Sequence, residues 1–251
     1  MGKRPKRKVV LFLVEGKSDR AALQIAIPQL FDRIDSSYEV FFPSIREDSI
    51  EVGGDITSRI GVHPRNIEEN IYNLFLRHFF DEEKILPKDI VEIIQIVDTD
   101  GVYIPDECII EEKNPTGASK PFYDIQYIKT LSPQHIIKRN ECKRENLDYL
   151  SSLDTIKVKQ KAVKYSVYYF SSNLDHYLHE NANLASQEKY ICADGFAIKY
   201  IDNTEEFISF LEDAELSTLD YSESWKYIKE DTNSLKRHTN IGLMFKRLVA
   251  E

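Results

Sequence analysis

The chain has 251 residues, a net charge of −9 and 42% hydrophobic residues, enough apolar material to fill the core of one large domain or of a domain with an appendage. No stretch approaches the roughly 18–20 apolar residues of a membrane span, and the basic N-terminus is not followed by a signal-peptide cleavage pattern, so a cytoplasmic protein without a membrane partner is expected. The three cysteines, Cys108, Cys142 and Cys192, are odd in number and widely spaced, which argues against a disulfide framework and against a Cys-based zinc site.

The first element is the apolar run VVLFLV at 9–14, which reads as a strand buried on both faces, as in a parallel sheet. Glu15-Gly16-Lys17-Ser18-Asp19 follows it directly, and Ser18 is placed to cap a helix through AALQIAI that Pro28 kinks or ends. Residues 36–66 contain short strand signals and a Gly53-Gly54 turn without an evident place in the fold. NIEENIYNLFLRHFF at 66–80 carries Ile67, Ile71, Leu74, Phe75 and Phe79 at helical spacing. A second inner strand, VEIIQIV at 91–97, runs into Asp98-Thr99-Asp100-Gly101.

After the polar connection EEKNPTGASKPF, Ser132 and Pro133 mark the start of a helix. A third strand, YSVYYF at 165–170, leads into SSNLDHYL, and beyond residue 186 the chain reads as mostly helical, through TEEFISFLEDA and WKYIKEDTNSLKRHTNIGLMFKRL. Strand and helix alternate, which predicts an α/β fold with a mostly parallel central sheet flanked by helices and a helical C-terminal extension. The expected division is a catalytic domain over 1–185 with an inserted helical segment at about 104–160, and a helical extension over 186–251 packed on it.

Acids placed at strand ends carry the chemistry. If the strands at 9–14 and 91–97 are parallel neighbours, Glu15, Asp98 and Asp100 emerge at the same carboxyl edge, where open α/β sheets bind ligands. Alternation in an extended segment puts Asp98 and Asp100 on one side. Carboxylates crowded together raise one another's pKa, and a divalent cation relieves the repulsion. Oxygen ligands without a nearby His or Cys favour Mg²⁺ or Mn²⁺.

This arrangement resembles the Toprim domain of topoisomerases, bacterial primases and OLD-type nucleases, in the Glu15-Gly16-Lys17-Ser18-Asp19 stretch and in Asp98-Thr99-Asp100-Gly101. The resemblance implies an acid/base or metal role for Glu15 and Mg²⁺ coordination by Asp98 and Asp100, with Gly16 and Asp19 as further site residues. YYFSSNLDHYLHE is similar to a motif of RloB-like and abortive-infection Toprim proteins, which implies site roles for Asn173 and Asp175, nuclease activity in anti-phage defence, and a partner ATPase in some members. Ser172 or Asn173 serving only as a helix cap is the plainer reading of that stretch.

Several other patterns compete. The Gly-Lys-Ser of EGKS lacks a P-loop, because Leu11 stands where its first glycine belongs. DTDG lacks the EF-hand spacing, because Ile109 stands at the position of the bidentate Glu. Asp98-Thr99-Asp100-Gly101-Val102 also resembles the nucleophile motif of haloacid-dehalogenase-like phosphatases, which implies Asp98 as nucleophile and Asp100 as acid/base. That motif normally follows the first strand of its core, and it leaves Glu15 unexplained. A non-catalytic regulatory subunit of a defence complex is the third alternative.

A protein of charge −9 binds a polyanion only if its cations gather around the site. Basic residues cluster at 2–8, at 138–144 and at 157–164. The segment 138–164, with Lys138, Arg139, Lys143, Arg144, Lys157, Lys159, Lys161 and Lys164, is expected to form a nucleic-acid-binding rim near the carboxylates. The expected partners are nucleic acid, DNA or RNA, a partner ATPase, and a second copy of the chain in a homo-oligomer.

Overall fold

A computed structural model describes residues 7–47, 50–113, 117 and 120–250. Ten strands are present among them. Five form the central sheet: β1 (Lys8–Leu13), β2 (Tyr38–Phe41), β5 (Ile90–Asp98), β9 (Thr155–Val158) and β10 (Lys161–Phe170), in the order β2-β1-β5-β10-β9. The pairings from β2 through β10 are parallel, and β9 adds an antiparallel edge to β10. β3 (Arg46–Glu47) and β4 (Ile50–Glu51) make a small ladder, while β6 (Ile109–Glu111), β7 (Phe122–Tyr123) and β8 (Ile128–Thr130) make a three-stranded sheet.

Strand alternation sorts the apolar residues into two layers. Val9, Leu11, Leu13, Ile93, Val97, Tyr165, Val167 and Tyr169 face one side. There they meet α3 (Ile67–Ile71), α5 (Pro133–Ser151) and α9 (Tyr221–Tyr227) through Ile67, Ile71, Leu147, Leu150 and Trp225. Val10, Phe12, Ile94, Ile96, Tyr168 and Phe170 face the other side. Packed there are α1 (Lys17–Leu23), α2 (Ala26–Ile34), α6 (Leu174–His179), α7 (Ser186–Lys199), α8 (Thr204–Phe210) and α10 (Ile241–Ala250). A strand covered on both faces has no polar positions, which is why the runs at 9–14 and 91–97 are nearly continuous in apolar residues. Burying each Leu, Ile or Phe side chain there contributes about 1.5–3 kcal/mol.

The amphipathic stretch at 66–80 is helical as its spacing predicts. It continues from α3 through a wide, π-type turn at Tyr72–Leu76 into α4 (Arg77–Glu83). Pro133 opens α5 at its first turn. Residues 104–160 combine α5 with the three-stranded sheet and β9, so this segment is only partly helical.

Two local expectations change. The N-cap of α1 is Gly16, whose N–H is accepted by Asp19 Oδ2 at 2.7 Å, and Ser18 lies within the first turn instead of capping it. The stretch from Trp225 to Leu248 is not one helix, for α9 and α10 are separated by a single 3-10 turn at Asn233–Leu235 and an extended passage. Its backbone is needed elsewhere: Ser234 O accepts Ser172 N–H at 2.8 Å and His238 O accepts Ser171 N–H at 2.8 Å. Asn240 Oδ1 accepts Tyr169 N–H at 2.8 Å. Residues 186–250 therefore support the sheet's carboxyl edge as well as its core.

Of the basic run at 2–8, only Arg7 and Lys8 lie within the described residues, and they pair with Glu39 and Asp35. Among the described residues no helix is long and apolar enough to cross a membrane.

Candidate metal centre at the carboxyl edge

Glu15 leaves the end of β1 and turns toward β5. Its Oε1 accepts the backbone N–H of Asp98 at 3.0 Å, which locks the two strand ends together. The Glu15 carbonyl accepts the N–H of Gly54 at 3.2 Å, so the loop after β4 passes directly over this edge. That passage delivers Asp55, whose Oδ1 accepts from Thr57 N–H at 2.7 Å and Thr57 Oγ1 at 2.5 Å.

The turn after β5 decides where its two aspartates go. Asp100 and Gly101 adopt left-handed conformations, with φ of 51° and 66°. A Cβ on Gly101 would lie 2.5 Å from Leu235 Cδ2, so the position combines a left-handed backbone with a close approach that only glycine permits. Ser172 O accepts Asp100 N–H at 2.6 Å, and Ser234 O accepts Thr99 Oγ1–H at 2.9 Å.

Strand alternation therefore ends at Thr99, and Asp98 and Asp100 do not share one ligand group as the extended spacing predicts. Oxygens of Glu15, Asp55 and Asp100 all lie within 4.8 Å of one another. Asp98 instead turns toward α6, where its Oδ1 accepts the N–H of Leu174 at 2.9 Å.

Lys143 of α5 reaches into the carboxylate trio. Its Nζ lies 2.7 Å from Asp100 Oδ2, 2.8 Å from Asp55 Oδ2 and 3.6 Å from Glu15 Oε1, and its side chain is fully buried. Although burial alone would lower the Lys143 pKa, Asp100, Asp55 and Glu15 hold it well above its usual value. Burial, followed by the charge of Asp55, pushes Glu15 well up. Burial opposes the Asp55 charge, but the charge and hydrogen bond of Lys143, joined by the hydroxyls of Thr57 and Ser58, shift its pKa down.

A second acidic set surrounds Lys189 of α7. Lys189 is ion-paired with Asp175. Burial opposes its charge, while Asp175, Asp98 and Asp19 raise its pKa. Burial and then the charges of Asp19 and Asp100 push Asp98 well up, and burial chiefly raises Asp19. Asn173 is the helix cap of α6, its Oδ1 accepting His176 N–H at 2.9 Å.

Of the expected basic rim, Arg139, Lys143 and Arg144 of α5 reach the carboxyl edge and the lysines of 157–164 do not. Arg139 donates to Asp100 O at 3.0 Å and Arg144 to Val102 O at 3.1 Å, so these cations brace the turn after β5 from α5. Lys143 is buried in the trio. Lys157, Lys159, Lys161 and Lys164 lie on β9, the β9–β10 turn and the start of β10. Lys164 stands opposite Glu92 while Phe170 stands opposite Asp98, and six strand residues place these lysines roughly 20 Å from the carboxyl edge. Lys161 Nζ donates to the carbonyls of Pro87 and Ile90 at 3.0 and 2.9 Å.

Asp55, Lys143 and Lys189 are the site residues that the motifs do not mark. The available signal for Asp55 is Gly53-Gly54-Asp55-Ile56-Thr57, where Gly54 takes the positive φ of a turn and Asp-x-Thr closes a local Asx turn. No local signal distinguishes Lys143 from the other cations of 138–144. Chemically, the trio is a set of hard oxygen donors with one positive charge at its centre, suited to a small divalent cation. No protein-family model, curated protein or solved structure matches this chain.

Proposed function

We propose that the chain is a Toprim-like, Mg²⁺- or Mn²⁺-dependent nuclease that hydrolyses phosphodiester bonds in anti-phage defence. One observation carries the metal-dependent part of the reading: Glu15, Asp55 and Asp100, from three separate segments, bring ligand oxygens within 4.8 Å at the carboxyl edge of a parallel sheet. The Toprim resemblance of the stretches at 15–19 and 98–101 supplies the reaction class and the defence role.

The donor set fits a divalent ion. The Lys143 ammonium, 2.7–2.8 Å from two of the carboxylates, stands in for the positive charge the trio requires. Glu15, Asp55 and Asp100 would hold the ion once Lys143 withdraws. A bound ion there would neutralise phosphate oxygens and acidify a water. The Asp98 N–H fixes the Glu15 carboxylate, and the left-handed turn at Asp100 aims its carboxylate at the same point. Lys189, ion-paired with Asp175, balances the charge on the other side of Asp98. Asp98 as a phosphatase nucleophile is the less favoured reading, because one of its oxygens is held by Leu174 N–H.

The test is incubation of end-labelled DNA and RNA, single- and double-stranded, with Mg²⁺, with Mn²⁺ or with EDTA. Metal-dependent cleavage, lost in Glu15→Gln and in Asp55→Asn variants that remain folded, is the expected result. Cleavage that survives EDTA or both substitutions overturns the reading. Hydrolysis of small phosphomonoesters that Asp98→Asn abolishes and Glu15→Gln spares would establish the phosphatase instead.

A further inference from the structure

Helix α5 meets the carboxyl edge along a buried polar seam. Asn140, Lys143 and Asn146, spaced three residues apart, are all fully buried, which puts them on one face of the helix. The two ends of the seam hold the segments that carry two of the acids. Asn140 Nδ2 donates to Gly101 O at 3.4 Å, and Arg139 beside it donates to Asp100 O at 3.0 Å. Asn146 Nδ2 donates to Thr57 O at 2.8 Å and to Val62 O at 3.2 Å. The helix is thereby fixed both to the turn after β5 and to the loop that follows Asp55. Between these anchors Lys143 reaches the trio, where its ammonium group contacts Asp100, Asp55 and Glu15.

We infer that Lys143 is a tethered competitor of the divalent ion: in the metal-free protein its ammonium group closes the site, and its side chain, not the helix, swings out when an ion enters. The inference rests on the metal-dependent reading above and adds a gate to that same site. Mg²⁺ lies about 2.0–2.1 Å from its oxygen ligands. The Lys143 nitrogen stands 2.7 and 2.8 Å from oxygens of Asp100 and Asp55, so an ion on those oxygens would lie roughly 3 Å from a positive nitrogen. Like charges that close repel strongly, and the trio holds one or the other. Lysine suits this part because it is a point charge on a flexible four-carbon stem. The hydrogen bonds of Arg139, Asn140 and Asn146 tie the acid-bearing segments to α5 independently of the ammonium group. A lysine that served only as a fixed counter-ion would behave differently, because its loss would let the carboxylates spread and would weaken ion binding.

The test measures Mn²⁺ binding by isothermal titration calorimetry on the wild type, on Lys143→Met and on Lys138→Met, the last removing an exposed cation of the same helix. Lys143→Met should bind Mn²⁺ roughly tenfold more tightly than wild type or better, because the ion no longer has to break a buried ion cluster. Lys138→Met should stay within about twofold, as a screened surface charge does. A second arm uses the wild type alone, so it holds even where Lys143→Met folds poorly. Lys143 should be protected from acetylation by an N-hydroxysuccinimide ester in EDTA and become labelled in saturating Mn²⁺, as read by peptide mass spectrometry. Mn²⁺ affinity in folded Lys143→Met equal to or below that of wild type, or protection of Lys143 that Mn²⁺ leaves unchanged, overturns the gate. If both arms give the expected result but no nucleic acid is cut, the gate stands and the nuclease reading falls. If cleavage depends on Mn²⁺, Glu15 and Asp55 while Lys143 stays protected, the reverse holds. Absence of Mn²⁺ binding in both wild type and Lys143→Met overturns the two together.

Discussion

Replacing Lys143 with Met keeps an unbranched side chain of similar length and removes the charge at the centre of the carboxylate trio. At the observed 2.7, 2.8 and 3.6 Å, Coulomb's law with an effective dielectric constant of about 20 gives roughly 4.5–6 kcal/mol of attraction per pair. Desolvation of the ammonium, several kcal/mol, offsets much of this sum. What remains in the variant is a set of carboxylates within 4.8 Å of one another, repelling by roughly 3.5 kcal/mol or more per ionised pair at the same dielectric constant. Breaking a buried ion cluster by deleting one partner costs about 3–5 kcal/mol, which for a chain of this size lowers Tm by roughly 6–20 °C. The sign of the pH dependence follows from the carboxylates. Glu15 already has a raised pKa from burial and from Asp55, and without Lys143 the trio is raised further. A carboxylate whose folded pKa is raised loses stability as pH rises from its unfolded value, about 4, toward the folded one. The deficit of Lys143→Met relative to wild type should therefore be large at pH 7 and shrink toward pH 4. Paired thermal melts of the two proteins across that interval check it. A deficit that is the same at both ends would mean that lost packing, not uncompensated charge, is responsible, and would refute the electrostatic account.

At the turn after β5, Gly101→Ala should cost about 2–4 kcal/mol, because a left-handed alanine is strained and its Cβ meets Leu235; urea titration should show a lower midpoint at unchanged m. For divalent ions, Asp55→Asn should weaken Mn²⁺ binding more than Asp98→Asn does, as followed by isothermal titration calorimetry, since Asp55 and not Asp98 belongs to the trio; equal losses would place Asp98 among the ligands. The double substitution of Lys157 and Lys159 to Ala should leave the salt slope of nucleic-acid binding unchanged, because both lie at the far end of the sheet; a decrease of about 0.7–0.9 per lysine would return these residues to the binding surface.

Elements whose information is local are legible along the chain. Strands buried on both faces must be almost wholly apolar, so the runs at 9–14 and 91–97 announce themselves, and an acid directly after each must lie at the carboxyl edge. The helix from Ile67 is legible from its 3.6-residue spacing, and the start of α5 from Ser132-Pro133. Glu15 and Asp98 consequently lie at the same edge, where the Glu15 carboxylate accepts the Asp98 backbone N–H at 3.0 Å. Which carboxylates share a centre depends on contacts between segments far apart in the chain. Asp100 leaves the side of Asp98 because the backbone turns left-handed there, held by Ser172 and by a loop more than 130 residues away that supplies Ser234. Asp55 arrives because the backbone at Gly54, with φ of 127°, turns so that its N–H meets the Glu15 carbonyl at 3.2 Å. Lys143 is indistinguishable in sequence from the neighbouring surface cation Lys138, and it is buried only because α5 lies across the turn after β5. These are contacts between distant segments, and no periodicity or short motif encodes them.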